Sequence, residues 1–146
     1  MKKIESVYNP EIKNLVKLRE ARERKKQGRF VIEGEKEIRT ALAYGVNIEK
    51  IFYPPSLFDI SSWDGEVGQQ EVVELSREAF NKVTYRGGRA AGMVAIGVGY
   101  EYSFGDIRVD QETIIPVLEG VEKPGNLGAV IRTILAAGIN CLIIND

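Results

Sequence analysis

The chain contains no histidine and only one cysteine, Cys141. A structural or catalytic zinc ion is held mainly by cysteine and histidine side chains, so we expect no metal site in this chain. Catalysis by a Ser-His or Cys-His pair is excluded for the same reason. A disulfide framework needs paired cysteines. Cys141 stands in an apolar segment, and we predict that it is a small core residue.

Long hydrophobic runs are also missing. No apolar segment approaches the roughly 20 residues that a membrane helix needs. The basic pair Lys2-Lys3 is not followed by the apolar region of a signal peptide. With 44% hydrophobic and 28% charged residues, the 146-residue chain is expected to form one ordinary domain or two small ones. We therefore expect a cytoplasmic protein that does not enter a membrane.

Positive charge is concentrated near the start of the chain. Residues 1–30 contain ten Lys or Arg and four Glu, a net charge of +6, so the other 116 residues carry −7. Such asymmetry predicts that an anionic partner binds the N-terminal segment, and nucleic-acid phosphates are one such partner. The alternative is a solvated helix face. The candidate RNA-binding cations are Arg22, Arg24, Lys25, Lys26 and Arg29.

The first hundred residues have the alternating helix and strand pattern of an α/β domain. Asn9-Pro10 indicates a helix start, and Gln27-Gly28 indicates the end of the same helix. A short buried strand is predicted at 30–32. The other predicted elements are a helix at 35–44, strands at 46–53, 71–75 and 93–98, and a helix at 77–82 capped by Ser76. We predict domains at 1–100 and 112–146, joined by a linker at 101–111.

A glycine-rich loop precedes the strand at 93–98. It places Arg86 and Arg89 on either side of Gly87-Gly88, next to Tyr85. A loop of this kind can approach a phosphate backbone closely, and tyrosine or arginine can stack on an unpaired base. The alternative is a mobile loop with solvated arginines. We predict that Arg86 and Arg89 contact RNA.

The last 35 residues predict one β-α-β unit. Apolar runs at 114–118 and 139–144 are typical of strands, and between them Asn126 is predicted to cap a helix at 127–137. The functional surface should lie at the C-terminal ends of the strands. Asn126 and Arg132 are the candidate catalytic residues, although a helix cap and a solvated arginine would also explain them. The glycine spacing fits neither the P-loop nor the dinucleotide fingerprint.

The run Lys123–Thr133, followed by Ala136-Ala137-Gly138, resembles the first motif of the SpoU (TrmH) family of RNA ribose 2′-O-methyltransferases. This resemblance implies an enzyme of the SPOUT class that uses S-adenosylmethionine and has a trefoil-knot catalytic domain. The family's motif asparagine and arginine fall on Asn126 and Arg132, and an acidic residue of the family falls on Glu119. The second and third motifs, which form most of the cofactor pocket, have no counterpart before Asp146.

A second resemblance lies near the N-terminus. The segment Gly28–Gly34 and the helix predicted after it are similar to the family's substrate-binding domain, an L30e-like α/β/α sandwich. The two resemblances together imply an L30e-like domain followed by a truncated SPOUT β-α-β unit. They also imply 23S ribosomal RNA as the partner, and a homodimer for intact family members.

Three hypotheses follow from the sequence. The first is an RNA ribose 2′-O-methyltransferase of which this chain carries the RNA-binding domain and the first catalytic motif. For this hypothesis we expect the 146-residue chain alone to be inactive. The second is a non-catalytic L30e-like RNA-binding module. The third is a small nucleotide-binding α/β protein that uses the 123–128 loop, although the missing phosphate-binding fingerprints argue against it.

Overall fold

In the computed structural model, residues 1–63, 68, 70–85 and 92–145 are described, and they form two compact units, Met1–Tyr100 and Glu101–Asp146. In the described part of the chain, no helix is long and apolar enough to cross a membrane. Each unit mixes helices and strands, as the sequence predicts. The division into an RNA-binding domain, a linker and a catalytic segment stays a prediction.

A five-stranded sheet forms the centre of the first unit, with strand order β1-β4-β3-β5-β2. Its strands are β1 (Lys2–Ile4), β2 (Arg29–Glu33), β3 (Ile48–Tyr53), β4 (Glu71–Leu75) and β5 (Val94–Val98). Strands β1, β4 and β3 pair in parallel, while β5 runs antiparallel to both β3 and β2. The C-terminal ends of β2, β3 and β4 therefore lie at the same end of the sheet as the N-terminal end of β5.

Helices cover both faces of this sheet. They are α1 (Pro10–Lys17), α2 (Ala21–Gln27), α3 (Glu35–Ala43) and α4 (Arg77–Val83). Side chains of β3 alternate between the two faces, with Phe52 in the core under α1 and α4, and Ile51 in the core under α3. Trp63, on a short 3₁₀ turn at Ile60–Trp63, completes the second core and is fully buried. The unit is thus an α/β/α sandwich with two hydrophobic cores.

The sequence prediction of one helix from residue 10 to residue 27 is wrong. Helix α1 ends at Lys17, and α2 begins at Ala21. The break arises because Leu18 is buried in the core with α1, whereas α2 contains no buried residue. Tertiary packing here overrides the good helix propensity of the charged run. The predicted start and end, at the Asn9 cap and at Gly28, are confirmed.

Two further expectations about the sheet need correction. Strand β2 was expected to be buried, but all five of its residues are only half-buried, because β2 is an edge strand with one neighbour. Strand β1 was not predicted, and it joins the opposite edge beside β4. The remaining strands and helices of this unit lie within about two residues of their predicted bounds, and Ser76 caps α4 as expected.

The second unit contains the predicted β-α-β order. Strands β6 (Val117–Glu119) and β7 (Ile143–Asn145) are parallel, with helix α5 (Pro124–Ala136) between them. Both strands are shorter than predicted, and Cys141 lies half-buried before β7 instead of in a strand. Asn126 is not the N-cap. Lys123 occupies that position, because Pro124 has the fixed φ and missing N–H that suit the first helical residue.

Candidate functional site

Helix α2 presents three of the five predicted RNA-binding cations to solvent. Arg22, Lys25 and Lys26 are exposed. Within the described residues, none of these three side chains forms an ion pair or a hydrogen bond. Because α2 buries no residue, its outer surface is available to a partner. These three side chains can therefore bind phosphate groups.

Arg24, on the same helix, instead stabilises the junction between α1 and α2. Its Nη1 donates hydrogen bonds to the carbonyl oxygens of Leu18 (3.3 Å) and Arg19 (2.6 Å). These carbonyls lie just beyond the end of α1, where backbone acceptors lack helical partners. Arg24 is half-buried in this position. Its first role is therefore structural.

Arg29 is also engaged within the fold. Its Nε and Nη2 donate to the two carboxylate oxygens of Glu49, each at 2.7 Å, and its Nη1 donates to the carbonyl of Gln27 at 3.0 Å. The hydrogen bond from Arg29 lowers the pKa of Glu49, and the same bond raises the pKa of Arg29. A fork-to-fork pair of this kind fixes geometry as well as charge. Arg29 thus ties β2 to β3.

A small polar cavity of about 280 Å³ lies beside this pair. Asn14 and Gln27 exchange amide hydrogen bonds of 3.0 and 3.1 Å along its wall. Lys50 lies between Glu11 and Glu71, with Nζ 2.9 and 2.8 Å from their carboxylate oxygens. The polar groups that line the cavity therefore satisfy one another, which is the arrangement of a structural network.

Arg86 and Arg89, the two loop arginines predicted to contact RNA, lie outside the described residues. Tyr85 immediately before them is described and is 64% exposed. Its backbone N–H donates to Glu33 Oε2 at 2.8 Å, and the guanidinium carbon of Arg19 lies 4.5 Å from the centre of its ring. Sequence reasoning missed Arg19, because no local pattern signals a contact across 66 positions.

The two predicted catalytic residues lie on α5. Asn126 is in its first turn and Arg132 is two turns further on, and both are exposed. Arg132 extends back toward the helix start, since a Cβ built on Gly128 would lie only 3.4 Å from its Nη1. No side-chain partner of Arg132 is found among the described residues. The guanidinium is thus free to bind an anion or a hydroxyl group.

At the C-terminal ends of β6 and β7, Asn145 Nδ2 donates to Glu119 Oε1 at 3.5 Å. An open groove of about 1240 Å³ in the same unit is lined by residues between 102 and 114 and between 137 and 143, away from Asn126 and Arg132 in sequence. The described residues hold no group of carboxylate or cysteine side chains that could bind a metal ion.

Comparison with known proteins places these features in a family. The family model described as the MRM3-like substrate binding domain matches residues 9–95. The 23S rRNA (guanosine(2553)-2′-O)-methyltransferase RlmP of Bacillus subtilis is 32% identical over all 146 residues, which are 55% of its length. The chain therefore spans about half the length of this curated relative.

Two solved structures extend the match to three dimensions. A crystal structure described as an RNA 2′-O ribose methyltransferase has a TM-score of 0.76 and 33% identity, over 99% of this chain and 55% of that one. The AdoMet-bound rRNA methyltransferase from Sinorhizobium meliloti has a TM-score of 0.78 and 28% identity, over 98% of this chain and 54% of that one. These matches confirm the resemblance to SpoU (TrmH) proteins, and the chain belongs to the MRM3-like substrate binding domain family.

Proposed function

We propose that this chain is the RNA-binding arm and the first catalytic motif of a ribosomal-RNA ribose 2′-O-methyltransferase. One observation carries the proposal: the identity to a 23S rRNA methyltransferase extends over all 146 residues and so includes both units. A non-catalytic RNA-binding module would need to match only the first unit. The relatives are named as methyltransferases, so this second reading is not favoured.

In this proposal the first unit is an L30e-like substrate-binding domain and the second begins a SPOUT domain. The three-layer α/β/α arrangement of residues 1–100 supports the first assignment. The parallel β6-α5-β7 order supports the second. A cytoplasmic location and a homodimer of the whole protein belong to the same proposal.

The RNA would lie against α2. Arg22, Lys25 and Lys26 supply unpaired positive charge for phosphates, and such contacts give affinity without sequence preference. Arg24 and Arg29 contribute by holding α2 and β2 in place, since their guanidinium groups already donate to protein acceptors. Arg86 and Arg89 remain proposed contacts on the loop that follows Tyr85.

The catalytic residues would act on the target ribose. Arg132 is free to hold the phosphate next to that ribose or to orient its 2′-hydroxyl. Asn126, in the first turn of α5, would shape the catalytic loop near the ribose, as the family motif implies. S-adenosylmethionine supplies an electrophilic methyl group when it is bound to such an enzyme. We assign no cofactor-binding residue in this chain.

The RNA-binding part is tested with the 146-residue chain and a 23S rRNA fragment. The triple variant Arg22→Ala/Lys25→Ala/Lys26→Ala should weaken binding and make the slope of log affinity against log salt smaller by about 2 to 3. A control triple variant, Lys36→Ala/Arg77→Ala/Arg108→Ala, removes the same charge from other exposed positions and should bind nearly as wild type. Equal loss in both variants would contradict a site on α2.

The catalytic part is tested in a full-length protein that carries this chain. Transfer of a radiolabelled methyl group from S-adenosylmethionine to 23S rRNA should fall by at least about a hundredfold in Arg132→Ala, while RNA affinity stays within about twofold. Arg108→Ala is the matched control in the same unit. Undiminished turnover in Arg132→Ala would remove Arg132 from the proposed mechanism.

A further inference from the structure

We propose that Tyr85, stacked on Arg19, is a binding site for one unpaired RNA base. The inference rests on the proposed RNA-binding function and specifies what this part of the domain would recognise. It differs from the cationic surface of α2 in its chemistry. The α2 surface offers charge to any phosphate backbone, whereas Tyr85 offers an aromatic face to a base that has left its helix.

Arg19 forms a fixed support beneath the ring. Its Nη2 donates to the carbonyl oxygens of Lys82 (3.0 Å) and Thr84 (3.2 Å), which fastens the α1–α2 junction to the end of α4. Its guanidinium carbon lies 4.5 Å from the Tyr85 ring centre, within the range of a cation–π contact. Arg19 Nε is buried and has no hydrogen-bond acceptor among the described residues.

The backbone of Tyr85 is held by its surroundings, although the ring is exposed. Its backbone N–H donates to Glu33 Oε2 at 2.8 Å, and the preceding residues Val83 and Thr84 are buried. A ring that is already held in place loses little conformational freedom when a ligand stacks on it. With 64% of its surface exposed, Tyr85 can accept a planar group of similar size.

Among the described residues, the groups around the ring favour a base over a phosphate. The Arg19 Nη2 is already engaged by two carbonyls, so a bidentate phosphate contact is not available there. A base has a π-face and no formal charge, and stacking on tyrosine tolerates all four bases.

The position of the ring agrees with the proposed path of the RNA. Arg19 is three residues from Arg22, so their Cα atoms are at most about 11 Å apart. A strand whose phosphates contact α2 can therefore place a neighbouring base on Tyr85. Recognition of structured RNA commonly targets such unpaired bases in loops and bulges.

The test measures binding of the 146-residue chain to two RNA hairpins that share the same stem. One hairpin has a long single-stranded loop that carries 2-aminopurine, whose fluorescence is quenched by stacking, and the other is closed by a compact tetraloop. Wild-type protein and Tyr85→Phe should quench the probe and bind the long-loop hairpin about tenfold more tightly than Tyr85→Ala does. All three proteins should bind the tetraloop hairpin equally. Tyr44→Ala is the matched control, because Tyr44 is 85% exposed and stacks on no cation in the described chain.

The outcomes separate this inference from the function on which it rests. If wild type binds both hairpins and Tyr85→Ala keeps the quenching and the affinity, the stacking site is overturned while RNA binding stands. If Tyr44→Ala loses as much as Tyr85→Ala, the site is also overturned, because general loss of surface tyrosine then explains the effect. If wild type binds neither hairpin, both the RNA-binding proposal and the stacking site fail.

Discussion

At the scale of single residues, the five cations between positions 22 and 29 divide by what they contact. Arg24 and Arg29 donate to acceptors of the protein, and Arg22, Lys25 and Lys26 do not. The first two should therefore affect stability, and the other three should affect binding of an anionic partner. This division can be measured one side chain at a time.

Arg24→Ala should lower the free energy of unfolding by about 1–2 kcal/mol, because two backbone carbonyls lose a charged donor at a half-exposed site. Lys25→Ala, the neighbouring exposed cation, should change it by less than about 0.5 kcal/mol. Urea denaturation of the two variants and the wild type gives both values. Equal stability of all three proteins would show that the contacts of Arg24 do not support the fold.

Glu11 makes stability depend on pH. Burial opposes ionisation of Glu11, but hydrogen bonds and attraction from Lys2 and Lys50 outweigh it, so the pKa of Glu11 lies below its ordinary value of 4.5. The unfolded chain therefore takes up this proton first as pH falls. The stabilisation is complete above about pH 4.5 and is lost progressively below it, as pH approaches the lowered folded-state pKa.

Glu11→Gln should accordingly lose less stability than wild type when pH is lowered from about 5 to 3, because one of the acid-sensitive carboxylates has been removed. Urea midpoints measured across this range test the difference. Glu20→Gln, which removes an exposed carboxylate without a side-chain cap bond, should follow the wild-type curve. A Glu11→Gln curve parallel to wild type would mean that the Lys2-Glu11-Lys50 contacts contribute nothing.

The sequence predicts the identity of individual site residues only where a motif is local. Asn126 and Arg132 could be named because they belong to one contiguous run. Arg19 could not, because its contact with Tyr85 depends on the packing of α1 against α4. The same limit applies to Arg29, since Glu49 is 20 positions away. The contacts of Arg24 are close in sequence, but they depend on the break between α1 and α2, which the sequence does not predict.

At the scale of secondary-structure elements, two glycines set the path of the chain around β2. Gly28 ends α2 in the left-handed region, at φ 60° and ψ 30°. Gly34 begins α3 at φ 118° and ψ 142°, a conformation that residues with a Cβ rarely adopt. Both glycines are turn positions in the sequence, but they differ in the substitutions that they should tolerate.

Substitution by asparagine should lower the free energy of unfolding by different amounts at Gly28 and Gly34. Gly28→Asn should cost less than about 1 kcal/mol, because asparagine tolerates the left-handed region. Gly34→Asn should cost about 2–3 kcal/mol, because residues with a Cβ rarely adopt a φ of 118°. Urea unfolding of both variants is the measurement, and a larger loss at Gly28 would refute this account of the β2–α3 turn.

Element boundaries followed from the sequence where proline, glycine or a capping side chain marks them. Asn9-Pro10 and Ser76 fixed the starts of α1 and α4 correctly. The break at 18–20 has no such marker and results from burial of Leu18. Pro124 marks the start of α5 in the same way, so Asn126 lies inside the helix and not at its cap.

At the scale of the whole chain, the two units differ in how much apolar surface they bury. Both hydrophobic cores lie within residues 1–100. In the described part of the second unit, the only buried hydrophobic side chain is Ile134, which is still 9% exposed. The alternating helices and strands predicted an α/β fold, but the order β1-β4-β3-β5-β2 could not be predicted, because strand pairing depends on contacts between distant segments.

This difference predicts that residues 1–100 fold alone and that residues 101–146 do not. The first fragment keeps the full five-stranded sheet and the helices on both of its faces, so it should unfold in one cooperative transition. The second fragment has one short parallel strand pair and one helix, which is too little to stabilise a domain. Thermal unfolding followed by circular dichroism tests both expectations, and a cooperative transition in the second fragment would contradict the reasoning from burial.

If the fragment 1–100 folds, it should also bind 23S rRNA with the salt slope of the whole 146-residue chain, because the free cations of α2 and the Tyr85 stack all lie within it. A folded fragment that has lost RNA affinity would move the binding surface into residues 101–146 and would contradict the proposal for α2.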